Sequence, residues 1–272
     1  MNMEQELVSV IMPTYNNDKH LAESIESVLG QTYSNLELII TDDHSTNPDV
    51  ISTIKAYQKR DERVKAFFFD ENQGSGASRN NCIKQAQGRY IAFCDCDDRW
   101  YSTKLEKQIQ FMQEKNCTLS YGSYLQCDDD NNIIGMVDAP AHLTLSDLKR
   151  DNKIGCLTAV YDTKPYGKFY MPTIRKRQDW ALFLTLMKEC KEAYGVTEPI
   201  GYYRIADGSV SSKKFKLIKY NAQIYKQIFG YNTLEAYGYL FFVFIPTYFK
   251  KVWSNKVKFR KYLTKLNKNN AK

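Results

Sequence analysis

The strongest constraint on the fold is a regular alternation of strand-like and helix-like segments over the first 100 residues. Short β-branched runs alternate with segments in which apolar residues recur at helical spacing. This alternation predicts βαβ units, and therefore an α/β fold with a mainly parallel, doubly wound sheet and helices on both faces. The predicted strands cover residues 7–12, 36–40, 64–69 and 90–94, and the predicted helices cover 20–29, 50–57 and 77–86.

Doubly wound sheets bind ligands at the carboxyl ends of their strands, so a site is expected in the loops that follow the strands. All four predicted strands are followed by polar residues. One such loop would carry little information, whereas four at the same edge of a sheet converge on one crevice. The four loops are Pro13–Asn16, Thr41–Ser45, Asn72–Gly76 and Asp95–Asp98.

The acidic loop after the fourth strand gives the strongest chemical signal. Asp95, Asp97 and Asp98 would repel one another at a strand end, and a divalent cation removes that penalty. Hard oxygen ligands with room for phosphate oxygens suit Mg²⁺ or Mn²⁺. The ordinary alternative is an acidic turn that caps the next helix. The apolar strand before the loop and Trp100 after it favour the cation site.

Asp43 and Arg79 are weaker candidates when each is taken alone. The Asp43 carboxylate can accept hydrogen bonds from a base or a ribose, but a turn with a capped helix has the same composition. Arg79 follows the glycines of the third loop and can bind a phosphate or carboxylate, or simply lie in solvent. The residues alone leave both interpretations open.

Cysteine and histidine usage argues against several other kinds of site. Seven cysteines without a CxxC pair disfavour a zinc ribbon or a thioredoxin-like centre and suit a reducing cytoplasm. Cys94 and Cys96 are expected in the core. His20, His44 and His142 are too dispersed for a metal cluster or a catalytic triad. No Walker sequence and no GxSxG elbow is present.

Charge is distributed unevenly along the chain. The net charge is +7, yet residues 213–272 hold 14 Lys and Arg against one acid, which leaves residues 1–212 at −6. A nucleic-acid-binding protein would usually carry its positive charge on the folded domain, so no nucleic-acid partner is expected. The sequence therefore predicts one domain over 1–212 and a helical, aromatic and basic extension over 213–272.

The extension contains the aromatic run YLFFVFIPTYF at 239–249, which Pro246 interrupts and two lysines follow. The run is too short to span a bilayer. Aromatic residues beside lysines suit a bilayer interface, so we expect peripheral contact with an anionic membrane through residues 231–272. The alternative is a helix packed on the body with a solvated tail. The polar start MNMEQE is unlike a signal peptide, and the expected location is the cytoplasm, at the inner face of the membrane.

Together these motifs resemble glycosyltransferase family 2, whose members are inverting enzymes with the GT-A fold. The resemblance extends over residues 7–212. IGCLTAVYD (154–162) and MPTIRKRQDW (171–180) resemble a narrower bacterial group, the enzymes of teichuronic acid and related envelope polysaccharide synthesis. The matching family stretches are SVIMPTYNN (9–17), ESVLGQTYSNLELIITDDHST (26–46), NQGSGASRNNCIKQAQGRYIAFCDCDDRW (72–100), KLEKQIQFM (104–112), RQDW (177–180) and YRIADGSVSS (203–212).

The resemblance implies a role for individual residues. The donor would be a UDP-sugar and the acceptor a saccharide or a lipid-linked saccharide. Arg204 would help to hold the diphosphate, and we expect Trp100 and Trp180 to contact the acceptor. The remaining roles are Pro13, Tyr15 and Asp43 at the nucleobase, Arg79 near the phosphates, Asp95 on the ribose side, Asp97 on the metal with Asp98 beside it, and Asp179 as the catalytic base.

Two residues depart from the family pattern. Many relatives carry a His in the segment that corresponds to Tyr203–Ser209, and here Ala206 followed by Asp207 takes that place. Relatives also often carry Glu before the base, where this chain has Gln178. Metal coordination is therefore expected to rest on Asp97, water and phosphate.

The assignment of Asp179 has a chemical reason besides the resemblance. Inversion needs one in-line displacement, and a carboxylate must take the proton of the acceptor hydroxyl as the new bond forms. The transition state resembles an oxocarbenium ion. The departing diphosphate needs no protonation when a metal neutralises its charge. The ordinary alternative for Asp179 is a first-turn carboxylate that the helix dipole favours.

Two other functions fit parts of the pattern. A catalytically idle nucleotide-sugar-binding protein of the same fold is disfavoured because both Asp97 and Asp179 are present. A nucleotidyltransferase would normally show a glycine-rich run with a basic residue after the first strand, where this chain has Pro13–Asn16.

Overall fold

The parallel half of the sheet is built around a strand that is buried along its whole length, β1 (Val8–Thr14). The computed structural model describes residues 6–205 and 217–270, with the backbone alone over 267–270. The order β3-β2-β1-β4 confirms the Rossmann-like arrangement, and every neighbouring pair in it is parallel. The elements are β2 (Leu36–Asp42), β3 (Val64–Phe68) and β4 (Tyr90–Phe93), connected through α1 (Leu21–Leu29), α2 (Pro48–Arg60) and α3 (Ser75–Gln85).

The second half of the sheet, built mainly from residues that follow the alternating segment, is mixed. After β4 the order continues β9-β6-β10-β5, and in it only β6 and β10 pair in parallel. The strand-like segments 119–126 and 133–137, with the polar turn 128–132 between them, predict a hairpin, and β6 and β7 do pair as an antiparallel hairpin. The strands are β5 (Arg99–Trp100), β6 (Leu119–Cys127), β7 (Ile133–Val137), β8 (His142–Thr144), β9 (Val160–Asp162) and β10 (Glu192–Arg204).

Helices cover both faces of the sheet. Successive residues of β1 point to opposite faces, and Val10 and Ile11 accordingly belong to two different core clusters. The cluster of Ile11 includes residues of α3 and α6, and the cluster of Val10 includes residues of α1, α2 and α4. The remaining helices of the body are α4 (Lys104–Lys115), α5 (Leu145–Arg150) and α6 (Gln178–Cys190).

The C-terminal extension packs on this body. It forms α7 (Ile218–Phe229), α8 (Thr233–Tyr239), a π-helical segment (Leu240–Phe244) and α9 (Ile245–Asn270). Tyr225 and Phe244 lie in the same core cluster as Trp180 of α6. The indole of Trp180 is 5.9 Å from the ring of Tyr225 and 5.4 Å from that of Phe244, between centroids.

Part of the extension therefore completes the core of the body. The predicted boundary at residue 212 lies outside the described residues. Within 6–205 and 217–270, no helix has both the length and the apolar character needed to cross a bilayer.

Candidate active site

Asn16 joins the first two strand-end loops. It has a left-handed backbone (φ 48°), and its Oδ1 accepts the N–H groups of Thr46 and Asn47 at 2.8 and 3.1 Å. Its own N–H donates to Ser45 Oγ at 2.8 Å. Tyr15, just before it, has a side chain that is 49% exposed, whereas Pro13 is buried in β1. The loops after β1 and β2 thus form one wall that exposes the Tyr15 ring.

Asp43 fixes the loop that leads into α3. It is 3% exposed, and its two carboxylate oxygens accept the N–H groups of Gln73 and Gly74, both at 2.8 Å. Gly74, which precedes α3, has a φ of 89° that an L side chain would rarely adopt. A carboxylate has about four acceptor positions, so two remain on Asp43. The assignment of Asp43 to a nucleobase stays a prediction.

Arg79 of α3 and Asp95 of the acidic loop form an ion pair. Arg79 Nη2 lies 2.7 Å from each carboxylate oxygen of Asp95, and both side chains are mostly buried. Burial acts to lower the pKa of Arg79, but the negative charges of Asp95 and, more weakly, Asp179 raise it above its ordinary value. The Nε of Arg79 is buried and has no hydrogen-bond partner among the described residues. The guanidinium therefore retains a donor for an anionic ligand.

The rest of the acidic loop is electrostatically strained. Burial, with the negative charge of Asp95 next, raises the pKa of Asp97 to about 6. Burial and the charges of Asp97 and Asp95 raise the pKa of Asp98 well above its usual range. Asp98 is 1% exposed, and its Oδ1 accepts the backbone N–H of Arg204 at 3.1 Å. A bound cation would relieve this crowding.

The structure corrects the expectation that Arg204 binds the diphosphate. Its side chain is 1% exposed, and Nε donates to the main-chain oxygen of Asp97 at 3.1 Å. Its Nη atoms donate at 2.8 Å to Asp128 O, Glu23 Oε2 and Asn131 Oδ1. A guanidinium with these partners links β10, α1 and the hairpin turn beneath the acidic loop. Ala206 and Asp207, which follow it, lie outside the described residues.

The acceptor assignments of Trp100 and Trp180 are also wrong. Trp100 is 4% exposed, and its Nε1 donates to Leu157 O at 2.8 Å. Trp180 is fully buried, and its Nε1 donates to Leu148 O at 2.9 Å. Neither indole faces the crevice, because each is a core side chain whose polar atom is satisfied within the protein.

Asp179 is the second residue of α6. Arg177, just before the helix, has a φ of 66°, which turns the chain sharply into α6. Asn152 Nδ2 donates to Asp179 Oδ2 at 3.3 Å. The Gln178 side chain packs against the first turn of α3, where a Cβ placed on Gly76 would lie 2.1 Å from Gln178 Nε2. The start of α6 is thus packed directly on the start of α3.

Several of the predicted site residues lie at the carboxyl ends of β1, β2 and β4, and their roles stay predictions. The structure brings Asp43, Arg79, the acidic loop and Asp179 to one edge of the sheet, beside Tyr15. Sequence reasoning missed Asn16 and Asn152. An asparagine in a polar loop gives no signal of its own, because its partner is 30 or 27 positions away in the chain.

Comparison with known proteins identifies the family. The model of "Glycosyl transferase family 2" matches residues 9–183. The chain belongs to glycosyltransferase family 2. The match includes all four strand-end loops and the start of α6, so the resemblance seen in the sequence is confirmed.

Two family-2 relatives cover most of this chain. TuaG of Bacillus subtilis, named for teichuronic acid biosynthesis, is 40% identical over 231 residues, which is 85% of this chain and 91% of TuaG. The Escherichia coli protein WfgD is 38% identical over 218 residues, 80% of this chain and 84% of WfgD. WfgD is named a UDP-Glc:α-D-GlcNAc-diphosphoundecaprenol β-1,3-glucosyltransferase.

Solved structures confirm the GT-A fold. S. aureus TarS 1–349 in complex with UDP-GlcNAc superposes with a TM-score of 0.65 at 19% identity, over 86% of this chain and 70% of that one. The mannosyltransferase PcManGT from Pyrobaculum calidifontis, in complex with GDP-Man and Mn²⁺, superposes with a TM-score of 0.63 at 15% identity, over 92% of this chain and 75% of that one. These identities show a shared fold only.

The acidic loop of this family-2 protein fits a cation that its substrate helps to bind. Across the described residues, no three His, Cys, Asp or Glu side chains are grouped so that they could hold a metal by themselves. Asp95 is paired with Arg79, and Asp98 is buried beside Arg204. Asp97 alone in the loop has a carboxylate without a bond from another described residue. One carboxylate suits Mg²⁺ or Mn²⁺, which keep waters and accept substrate phosphates.

Proposed function

We propose that this protein is an inverting, metal-dependent glycosyltransferase. It moves a sugar from a UDP-sugar to a saccharide or lipid-linked acceptor in the synthesis of a cell-envelope polysaccharide. The observation that carries the proposal is that the Asp179 carboxylate lies within the electrostatic field of Arg79, at the edge of the sheet where the acidic loop ends. A base and an anion-binding group at one crevice are what a single displacement at an anomeric carbon requires.

The donor is bound by the residues of the first four strand ends. The exposed Tyr15 ring takes the nucleobase, together with Pro13 and Asp43, which are buried. Arg79 donates its free Nε–H toward the diphosphate, and Asp95, which orients Arg79, lies on the ribose side. Asp97 holds the cation, and Asp98 shapes the loop through its bond to the Arg204 backbone. The bound cation supplies positive charge for the departing diphosphate.

Asp179 carries out the proton transfer. Its carboxylate accepts the proton of the acceptor hydroxyl as that oxygen attacks the anomeric carbon. Asp179 lies in the first turn of α6, where an acidic side chain interacts favourably with the helix dipole. Gln178 and Arg177 fix the direction of the helix start by their packing and backbone conformation.

The acceptor class is proposed from the relatives. WfgD is named for transfer from UDP-Glc to a diphosphoundecaprenol-linked GlcNAc, and it covers most of this chain at 38% identity. A lipid-linked acceptor lies at a membrane, so a peripheral membrane site of action follows. The expected site is the cytoplasmic face, where nucleotide sugars are made.

The extension offers a surface for that membrane contact. Phe242 is 84% exposed and Trp253 is 70% exposed, whereas Leu240 and Phe244 of the same run are buried. Lysines follow the exposed aromatics along α9. We propose that the membrane face consists of five exposed side chains, together with the basic residues of α9: Leu234, Phe241, Phe242, Phe249 and Trp253.

Substitution of Asp179 tests the function. With UDP-glucose and other UDP-sugars as donors and a synthetic GlcNAc-diphospholipid as acceptor, wild-type protein should release UDP and form a β-linked product. Asp179→Asn should keep UDP affinity and lose transfer by about a hundredfold or more, because the amide cannot accept the proton. Asp49→Asn is the matched control, since Asp49 is an exposed residue at the same position of α2.

Two results would contradict the proposal. Wild-type transfer by Asp179→Asn would make Asp179 an ordinary helix-start residue. UDP binding without turnover of any donor in the wild-type protein would favour the catalytically idle alternative.

A further inference from the structure

A lysine of the extension reaches into the body next to the proposed base. Lys251 Nζ of α9 lies 2.5 Å from Asp151 Oδ2 and donates to Asn152 O at 2.7 Å. Asp151 is 1% exposed, and the Lys251 side chain is 25% exposed. The contact therefore joins α9 to residues 151–152 by a mostly buried ion pair and a hydrogen bond.

Asn152 connects this contact with Asp179. Its main-chain oxygen accepts a hydrogen bond from Lys251 Nζ, while its side-chain Nδ2 donates to Asp179 Oδ2 at 3.3 Å. The Asn152 Oδ1 accepts the N–H of Ile154 at 3.3 Å, which fixes the amide group in one orientation. A chain of direct contacts thus runs from α9 through a single residue to the carboxylate.

The surrounding charges belong to the same cluster. Burial raises the pKa of Asp151 and lowers that of Lys251, and each partner's charge opposes the shift of the other. Arg177 and Lys153 contribute positive charge to both groups. Arg177 immediately precedes α6, and Asp151 and Lys153 flank Asn152. The charged residues therefore lie next to both segments that contact or carry Asp179.

We propose that Lys251 is a positioning residue for acceptor activation: it holds Asn152 so that the Asn152 amide orients the Asp179 carboxylate. This inference rests on the proposed role of Asp179 as the base. The bond from Asn152 occupies Oδ2 and leaves Oδ1 for the incoming proton. Misplacement of a reacting group by about 1 Å can cost about a hundredfold in rate. The extension, which carries the proposed membrane face, thereby also sets the geometry of the base.

Removing Lys251 alone would leave Asp151 buried without its counter-charge, which destabilises a fold. The test therefore uses both Lys251→Met and the neutral pair Asp151→Asn/Lys251→Met. In both proteins kcat for transfer from UDP-glucose to the synthetic GlcNAc-diphospholipid should fall about ten- to a hundredfold, with UDP affinity unchanged. Lys107→Met is the control, because Lys107 forms a 2.7 Å ion pair with Glu198 at the surface.

Asn152 variants separate positioning from simple stability. Asn152→Ala should lower kcat as Lys251→Met does, and the double variant should be no slower than the worse single variant, because both act through one contact. Lys251→Arg, which keeps the donor, should retain most activity.

Wild-type kcat in the neutral pair, or additive losses in the double variant, would overturn the inference. A lower melting temperature with unchanged kcat would likewise assign Lys251 a structural role only. Wild-type transfer by Asp179→Asn would instead contradict the assignment of Asp179 as the base. Failure of the positioning role and failure of the proposed function are therefore distinguishable.

Discussion

The three carboxylates of the acidic loop are held in three different ways, and this difference decides which of them can bind a cation. Asp95 is paired with Arg79, and Asp98 is buried and accepts a backbone N–H from Arg204. Asp97 receives no hydrogen bond from another described residue, and its pKa is raised to about 6. A partly buried carboxylate without a hydrogen-bond partner costs stability when it is charged, and the proposed cation, bound with the donor, would remove that cost.

Asp97→Asn should therefore make the metal-free protein more stable while it abolishes Mn²⁺-dependent UDP binding. Because the folded-state pKa lies above the ordinary value, the folded state binds more protons between about pH 4 and 6, and stability falls as pH rises through that window. The amide carries no charge, so its melting temperature at pH 7 should exceed that of wild type, by about 2–4 °C per kcal/mol removed. Thermal unfolding and calorimetry measure the two effects.

The wild-type protein should also lose Mn²⁺-dependent UDP affinity as pH falls through about 6, because the protonated carboxyl of Asp97 does not bind a cation. Asp130→Asn, at an exposed turn, serves as the control. If Asp97→Asn retained metal-dependent binding, the cation would have to lie on another carboxylate of the loop.

For single residues, the sequence predicts where in the fold a residue lies better than which way its side chain points. The acidic loop and Asp179 lie at the predicted edge, because the ends of parallel strands share one side of a sheet. Arg204, Trp100 and Trp180 have residue types that suit ligand contact, but their side chains point into the protein. Orientation depends on packing between distant segments, such as Trp180 against Phe244, which no local pattern encodes.

At the scale of elements, periodicity predicts the parallel half of the sheet and, in the mixed half, the β6–β7 hairpin, but it misses β9 and most of β10. The sequence predicts a short strand at Gly201–Ile205, whereas β10 extends from Glu192 to Arg204. Its register against β6 shifts on both sides of Pro199, which interrupts the alternation of apolar residues. β9 is only three residues long and is defined by its partners β4 and β6. Such strands exist through pairing across the sheet, so their own sequences are weak predictors.

The contact between the first turns of α3 and α6 should be required for transfer. In Gly76→Ala the new Cβ would lie 2.1–2.8 Å from the amide at the end of the Gln178 side chain, so this amide must move away and its contact with the first turn of α3 is lost. Transfer should fall about tenfold or more, with UDP affinity unchanged. Steady-state kinetics measure the loss.

A second substitution tests whether the contact with Gln178 causes the loss of transfer in Gly76→Ala. Gly76→Ala/Gln178→Ala removes the clashing side chain and should regain the activity of Gln178→Ala alone. Gly238→Ala is the control, because a Cβ there meets no atom within 4 Å. If the double variant stayed as slow as Gly76→Ala, the lost activity would come from another contact of the new methyl group, such as the donor.

At the scale of the whole molecule, the aromatic run of the extension has side chains in two environments that composition could not separate. Leu240 and Phe244 are buried in the core of the body, while Phe241 and Phe242 between them are exposed. Lys251 is inserted beside Asp151, although it belongs to the basic tail. Deleting residues 231–272 would therefore remove core side chains, so a membrane test by truncation would measure unfolding.

Substitution of exposed side chains tests the membrane face without disturbing the core. The body is acidic at −6 and the extension basic at +13, so an anionic leaflet should attract this end of the molecule alone. Wild-type protein should co-sediment with phosphatidylglycerol vesicles, bind neutral phosphatidylcholine weakly, and be released by high salt, which screens exposed charges beyond about 3 Å at 1 M. Phe242→Ser/Phe249→Ser/Trp253→Ser should abolish sedimentation, because charge without apolar insertion anchors poorly.

The control is Tyr166→Ser/Tyr170→Ser, which replaces exposed aromatic residues of the body and should bind vesicles as wild type does. Equal sedimentation of the triple variant and wild type would locate the membrane contact elsewhere, and no sedimentation of either would leave α9 as a helix packed on the body with a solvated outer face.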